Sequence, residues 1–246
     1  MDISVVIPVK NEQDNVAVLA GEVLSALKSL SNSLSLSSEI VFVDDGSTDT
    51  TVEKLKALKH EHPDTLRIVQ HRHNCGQSAA LYSGVRYANG RWIITLDGDG
   101  QNDPADIPGL VERMQQEQGD NPAILVTGYR KNRKDTWIRR LSSRIANGVR
   151  STILQDHTPD TGCGLKMISR DDYLKLPFFD HMHRFLPALV IRQGGKVVSV
   201  DVNHRPRLRG KSKYGINNRL WVGIVDLFGM MWLIRRGKRP VVSEIE

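Results

Sequence analysis

The 246-residue chain is 39% hydrophobic and holds two cysteines, which is enough apolar material for a folded α/β domain and too few thiols for a disulfide framework. Its net charge of +6 is unevenly placed: residues 1–128 hold 10 Lys or Arg against 18 Asp or Glu, a balance of −8, and residues 129–246 hold 24 against 10, a balance of +14. With 6% aromatic residues and an acidic half that repels phosphate backbones, the chain is expected to have no nucleic-acid partner. A membrane surface or a phosphorylated substrate suits the basic half better.

The first 130 residues alternate two periodicities. Ile3–Val9, Ile40–Asp44, Leu66–His71, Trp92–Asp97 and Ala123–Gly128 are short apolar runs rich in β-branched residues. Helix-period segments lie between them: Asp14–Leu30, Thr48–Lys59 with Thr48 and Asp49 as cap residues, Gln77–Ala88, and Pro104–Gln118 behind Asp103-Pro104. Strands apolar at consecutive positions are covered on both faces, so the expected class is α/β with a mostly parallel, Rossmann-like sheet flanked by helices. The serine-rich stretch Ser29–Ser38 reads as a surface loop. Beyond residue 130 the pattern predicts a basic helix at Thr136–Thr152, a short helix at Arg170–Leu176, another at Met182–Gln193 and a strand at Lys196–Val202. A basic loop, Arg205–Tyr214, and a helix-like segment, Asn217–Arg236, follow. No Pro/Gly-rich linker divides the chain, so a single domain is expected.

Ligands of open parallel sheets bind at the carboxyl ends of the strands. Three of these ends are polar here: Pro8-Val9-Lys10-Asn11-Glu12, Asp44-Asp45-Gly46-Ser47 and Asp97-Gly98-Asp99-Gly100-Gln101. Carboxylates crowded on one rim repel unless a cation or hydrogen-bond donor joins them. Asp97, Asp99 and Gln101 offer the oxygen ligands that Mg²⁺ or Mn²⁺ prefers, and no bidentate Glu follows at EF-hand spacing. The first strand is followed by neither GxxxxGK[ST] nor GxGxxG. A nucleotide would therefore be held by carboxylates on its ribose and base and by a metal on its diphosphate. Cys75 and Cys163 lack zinc-type spacing and read as reduced thiols; His71, His73, His181 and His183 read as surface or hydrogen-bonded core histidines.

Together with Asn74-Cys75-Gly76-Gln77-Ser78-Ala79-Ala80 and the run from Leu96 to Pro104, these motifs resemble family 2 glycosyltransferases with a GT-A fold. Gly128-Tyr129-Arg130, the Arg139–Arg144 helix, Asp160-Thr161-Gly162-Cys163-Gly164-Leu165-Lys166 and the run Arg207–Tyr214 are similar to the polyprenyl- and dolichyl-phosphate sugar synthases. The resemblance implies a GT-A domain over residues 1–216, with a nucleotide-sugar-binding half at 1–130 and an acceptor half at 131–216, followed by an amphipathic basic segment at 217–246. It implies that Pro8, Lys10, Glu12, Val43 and Asp45 border base and ribose. Asp97, Gly98 and Asp99 would meet ribose and diphosphate, with Asp99 and Gln101 on the metal, and Arg130, Arg139, Arg207 and Lys213 would gather the donor and acceptor phosphates.

The implied reaction moves a hexose from GDP-mannose or a UDP-hexose to a polyprenyl phosphate, with inversion. Members that act on hydroxyls resemble one another in a Glu-Asp pair, absent from Asp160-Thr161-Gly162-Cys163-Gly164. A phosphate monoester, with a second pKa of about 6, needs no base to become nucleophilic. Asp160 is then structural or acceptor-orienting. The alternatives are transfer to a hydroxyl and a non-catalytic nucleotide-sugar-binding protein at the membrane. The sequence shows neither a signal peptide nor 18 consecutive apolar residues. Leu220–Ile234, interrupted by Asp226 and flanked by basic residues, suits a helix lying in the membrane interface or packing on the sheet or a membrane-embedded partner protein. The expected location is cytoplasmic, peripheral on the inner face of the membrane.

Overall fold

A computed structural model describes residues 1–117, 119, 123–131, 150, 151, 153, 154, 156, 158–206 and 216–237, the last segment with side chains from residue 222 onward. Its strands are β1 (Ile3–Val9), β2 (Ser38–Asp44), β3 (Leu66–Gln70), β4 (Trp92–Thr95), β5 (Ile124–Tyr129), β6 (Lys166–Ser169) and β7 (Lys196–Asp201). They form one sheet in the order β3-β2-β1-β4-β6-β5-β7. All neighbouring pairs are parallel except those of β6, which runs antiparallel between β4 and β5. The chain steps outward from β1 to β3 and then returns to the other side of β1 as β4. Strand order thus reverses at β1, and the carboxyl ends of β1, β2 and β4 border the crevice where such sheets bind ligands.

The described helices are α1 (Val16–Leu34), α2 (Thr51–Glu61), α3 (Gln77–Tyr87), α4 (Ile107–Glu117), α5 (Arg170–Leu174), α6 (Leu186–Arg192) and α7 (Ile216–Arg235). Alternation along β1 sends Val5, Ile7 and Val9 into one core layer with Leu19 and Val23 of α1 and Leu110 of α4. Val6 goes to the other layer, with Val43 of β2 and Ala80, Leu81 and Val85 of α3. Each such fully buried aliphatic contributes roughly 1.5–3 kcal/mol.

Four local expectations are corrected. Ser29–Ser38 is largely helix, because Leu27 and Leu30 extend the buried stripe of α1 and Ser33 satisfies its hydroxyl on the Ser29 carbonyl at 2.9 Å. The chain leaves α1 only at Ser35, with φ 55°. Met182–Gln193 is not one helix: a 3₁₀ turn at Met182–Arg184 is followed by α6, with Phe185 between them and Pro187 in the first turn of α6. β4 stops at Thr95, before the carboxylates. The second helix starts at Thr51 rather than Thr48, with Asp49 Oδ1 accepting from the Thr51 amide at 3.0 Å. β6 has no counterpart in the predicted elements, and the predicted basic helix lies mostly at residues outside the described ones. No helix of the described residues is long and apolar enough to cross a membrane.

α3 lies so close on the sheet that a Cβ at Gly84 would sit 2.8 Å from Val43 Cγ2 and closer still to Val6, whereas a Cβ at Gly21 of α1 would meet nothing within 4 Å. Gly84→Ala should therefore destabilise by about 1–3 kcal/mol through overpacking, and Gly21→Ala should stabilise by up to about 1 kcal/mol. Thermal unfolding followed by circular dichroism should shift in opposite directions for the two.

Candidate active site

The rim is built from three strand ends tied to one another. The Asp45 amide donates to the Val9 carbonyl at 2.9 Å, joining the ends of β2 and β1. Asn11, at φ 50°, donates its amide to Ser47 Oγ at 2.8 Å and accepts from the Thr48 amide at 2.7 Å. Asp45 is buried; its Oδ1 accepts from His71 Nδ1 and the Cys75 amide, each at 2.8 Å, and its Oδ2 from the Gly76 amide at 2.9 Å. Three donors from the β3 end and the α3 start thus hold this carboxylate in one orientation.

Asp97 follows β4. Gln77 Nε2 donates to its Oδ1 at 2.8 Å, and a Cβ on Gly164 would overlap the carboxylate, so only glycine lets the backbone before β6 lie against it. Burial, and then the charge of Asp99, push the Asp97 carboxyl up to about 6, against opposing contributions from Lys166, Arg130 and the Gln77 hydrogen bond. Asp99 Oδ1 accepts from the Gln101 amide at 3.1 Å. Lys166, at the start of β6, is itself buried; its Nζ donates to the Cys163 carbonyl, and desolvation lowers its pKa.

A cavity of about 750 Å³ opens beside these groups, with Gln77, Asp97, Gly164, Lys166, His183 and Arg184 in its wall. His183 is bonded through Nδ1 to Ser78 Oγ at 2.7 Å, and burial drops its pKa to about 3, so the ring is neutral at physiological pH. His181, at φ 63°, pairs its Nδ1 with Asp226 Oδ2 of α7 at 3.1 Å. Asp226 thus brings α7 against the cavity loop, and Val222 of α7 completes that wall.

The family model described as glycosyl transferase family 2 matches residues 4–176. The chain belongs to glycosyl transferase family 2. Within it, the chain is 36% identical over 243 residues to a dodecaprenyl-phosphate galacturonate synthase of Rhizobium johnstonii, covering 98% of this chain and 69% of that protein. It is 34% identical over 215 residues to an undecaprenyl-phosphate 4-deoxy-4-formamido-L-arabinose transferase of Edwardsiella ictaluri, covering 87% of this chain and 63% of that protein. The chain therefore spans under two thirds of the second relative's length. Among solved structures it resembles glucosyl-3-phosphoglycerate synthase of Mycobacterium tuberculosis crystallised with Mn²⁺, uridine-diphosphate and phosphoglyceric acid, with TM-score 0.67 and 18% identity over 97% of this chain and 80% of that one. The fold is GT-A, and the protein is a glycosyltransferase.

Against this family 2 frame, the structure brings Asp45, Asp97, Gly98, Asp99 and Gln101 to the carboxyl end of the sheet. Val43 is fully buried against α3, so its side chain is a core group rather than a pocket wall. Glu12 accepts from Asn15 Nδ2 at 2.6 Å at the start of α1, and Pro8 and Lys10 lie partly exposed at the β1 end. Arg130 is held in a two-pronged pair with Asp160, Nε to Oδ2 at 2.6 Å and Nη2 to Oδ1 at 2.8 Å, both side chains largely buried. Arg139, Arg207 and Lys213 lie outside the described residues. Lys166 and the Asp45–His71 pair were missed as functional candidates. A lysine opening an otherwise apolar run was the available signal for the first; for the second, none existed in spacing.

Two outcomes follow from these electrostatics. In the unfolded chain the Asp97 carboxyl ionises near its ordinary 3.8, while in the metal-free fold it holds its proton to about pH 6. The stability this represents is complete below pH 3.8, falls as pH rises through this window and is lost above pH 6. The D97N variant should therefore be more stable than wild type in chelator at pH 7.5, by about 1–3 kcal/mol, and the two should converge near pH 4 in denaturant titrations. Asp160→Asn leaves a buried guanidinium without its partner and should cost about 3–5 kcal/mol in the same assay.

Proposed function

We propose that this glycosyltransferase transfers a sugar from a nucleoside diphosphate donor to the phosphate of a polyprenyl phosphate, with inversion at the anomeric carbon. The observation that carries this reading is the gathering of both charges in the wall of one cavity: Asp97 after β4, Lys166 on the neighbouring strand β6, and Arg184. Donor and acceptor are both anionic, and breaking the anomeric bond adds negative charge to the leaving diphosphate, so basic side chains beside the carboxylate rim suit the transition state. The two relatives named for prenyl-phosphate acceptors support the acceptor class. No Glu-Asp pair stands at Asp160–Gly164. A phosphate acceptor makes such a base unnecessary, because its second pKa of about 6 leaves it ionised at neutral pH.

Asp97, Asp99 and Gln101 would hold Mg²⁺ or Mn²⁺: they are hard oxygen donors, and a cation between the two carboxylates would relieve the repulsion that Asp99 exerts on Asp97. Such an ion supplies Lewis-acid neutralisation of the diphosphate. The protein's own part is orientation. Asp45, fixed by three donors, faces base and ribose; Gln77 and Gly164 set the plane of the Asp97 carboxylate; Lys166 and Arg184 steer the acceptor phosphate toward the anomeric carbon. Residues 1–130 then form the donor half and 131–216 the acceptor half.

In this reading residues 217–246 are the segment that meets the membrane. Val225, Phe228 and Trp232 of α7 are 66%, 65% and 63% exposed at helical spacing, and Arg235 and Arg236 follow. That is the pattern of a helix lying in an interface of anionic headgroups, on the cytoplasmic face where nucleotide sugars are made.

The test is nucleotide release with undecaprenyl phosphate and Mg²⁺ or Mn²⁺, screening GDP-mannose, UDP-hexoses and UDP-uronates. One donor should support turnover only when the lipid phosphate is present. Asp99→Ala should lower that turnover by about 10²–10³-fold or more with an unchanged circular dichroism spectrum. Metal-dependent transfer surviving in this variant, or retained anomeric configuration in the NMR spectrum of the product, would overturn the reading.

A further inference from the structure

The end of β2, the end of β3 and the loop before α3 bring a carboxylate, an imidazole and a thiol together. The ligand atoms of Asp45, His71 and Cys75 all lie within 4.8 Å of one another. We propose that these three residues form a zinc-binding site at the edge of the donor pocket, separate from the oxygen-donor set of Asp97, Asp99 and Gln101, and that zinc bound there excludes the donor nucleotide.

The donor chemistry selects the ion. One thiolate, one imidazole and one carboxylate form a mixed set suited to borderline Zn²⁺ and poorly suited to Mg²⁺, and three protein ligands leave the fourth tetrahedral position open. The geometry is close to what ligation needs. His71 Nδ1 and Asp45 Oδ1 are 2.8 Å apart with a proton between them; zinc replacing that proton, at bonds of about 2.0–2.2 Å, needs only a slight spreading of the pair.

The outer shell is also in place. His71 Nε2 is already bonded to Ser83 Oγ at 2.9 Å, the kind of contact that fixes the tautomer and ring plane of a ligating histidine. Asp45 Oδ2 is oriented by the Gly76 amide at 2.9 Å. Cys75 is exposed, which provides the entry path, while Asp45 is buried and His71 largely so. Binding exchanges one proton for the ion: the thiol releases it, the imidazole moves its own proton from Nδ1 to Nε2, where Ser83 Oγ accepts it, and the Asp45 carboxylate turns from the imidazole proton to the metal. No oxidant or reductant enters.

Exclusion of the donor rests on the proposed placement of Asp45 against base and ribose, so the site and its consequence are tested separately. The full chain, reduced and stripped with a chelator, is titrated with Zn²⁺ alone against a chromophoric competitor. The expected result is one equivalent bound. His71→Gln and Cys75→Ser should each weaken it at least tenfold, and Ser83→Ala by about 10–100-fold, the range for loss of an outer-shell partner. Co²⁺ in the same position should give a thiolate-to-metal charge-transfer band that Cys75→Ser abolishes, a signature that general destabilisation would not mimic. Absence of stoichiometric binding, or binding unchanged in Cys75→Ser, overturns the site whatever reaction the enzyme catalyses. A second titration adds a nucleoside diphosphate, which should raise the zinc concentration needed for half-occupancy. If zinc binds as expected and the nucleotide leaves it unmoved, exclusion is overturned, and direct nucleotide binding to the D45N variant then shows whether the placement of Asp45 is at fault.

Discussion

A carboxylate held where charge is disfavoured is the constraint around which this molecule is arranged. Asp97 loses solvation at the switch in strand order and faces a second carboxylate two residues on. Its neighbours are explicable as answers to that situation. Gln77 reaches from the first turn of α3 to donate a hydrogen bond, Gly164 gives up a side chain to make room, and Lys166 is drawn into the sheet despite its own desolvation. β6, an antiparallel insertion in an otherwise parallel sheet, is the element that delivers both Gly164 and Lys166 to that position. The irregularity of the sheet and the electrostatics of its rim are one feature seen at two scales.

The second half of the chain extends the same logic. Its excess of positive charge is partly committed to structure: Arg130 to Asp160, Arg150 to Asp156 at 2.9 Å, and Arg205 to Glu22 at 2.8 Å and to Asp103. The first two of these pairs are largely buried; such a pair adds little net stability over an apolar substitute, but it fixes geometry, and losing one partner is costly. Arg130 and Arg205 are thereby anchors between segments distant in sequence. The basic balance of residues 129–246 overstates the charge available to a phosphorylated ligand.

Legibility in the sequence divided along a physical line. Runs such as Val5–Val9 and Ile40–Asp44 announce buried strands because both faces are apolar, and the polar residues after them announce the rim. Lys166–Ser169 is too short for either periodicity to register, and its lysine argues against burial until Asp97 is known to lie beside it. The serine-rich tail of α1 reads as loop on composition because serine hydroxyls compete for backbone partners; Ser33 shows the competition resolved inside the helix. Pairings such as His71 with Asp45, 26 residues apart, or Arg130 with Asp160, 30 apart, leave no trace in local spacing. They depend on which strands become neighbours. The motifs located the site, and only the fold showed which of its side chains are held by one another.

The cavity wall contributed by α7 has a consequence for what the enzyme can measure. A space of about 750 Å³ has the size of a site for a small polar ligand, and a hydrocarbon chain of many isoprene units does not fit within it. Under the proposed reaction the lipid tail stays outside, in the layer on which the exposed side of α7 rests, and only the phosphate enters. Among the described residues, the wall of this cavity then offers no ruler for tail length. Under the proposed reaction this cavity would select an acceptor by its headgroup, and lipids of different length carrying the same phosphate would fit it alike.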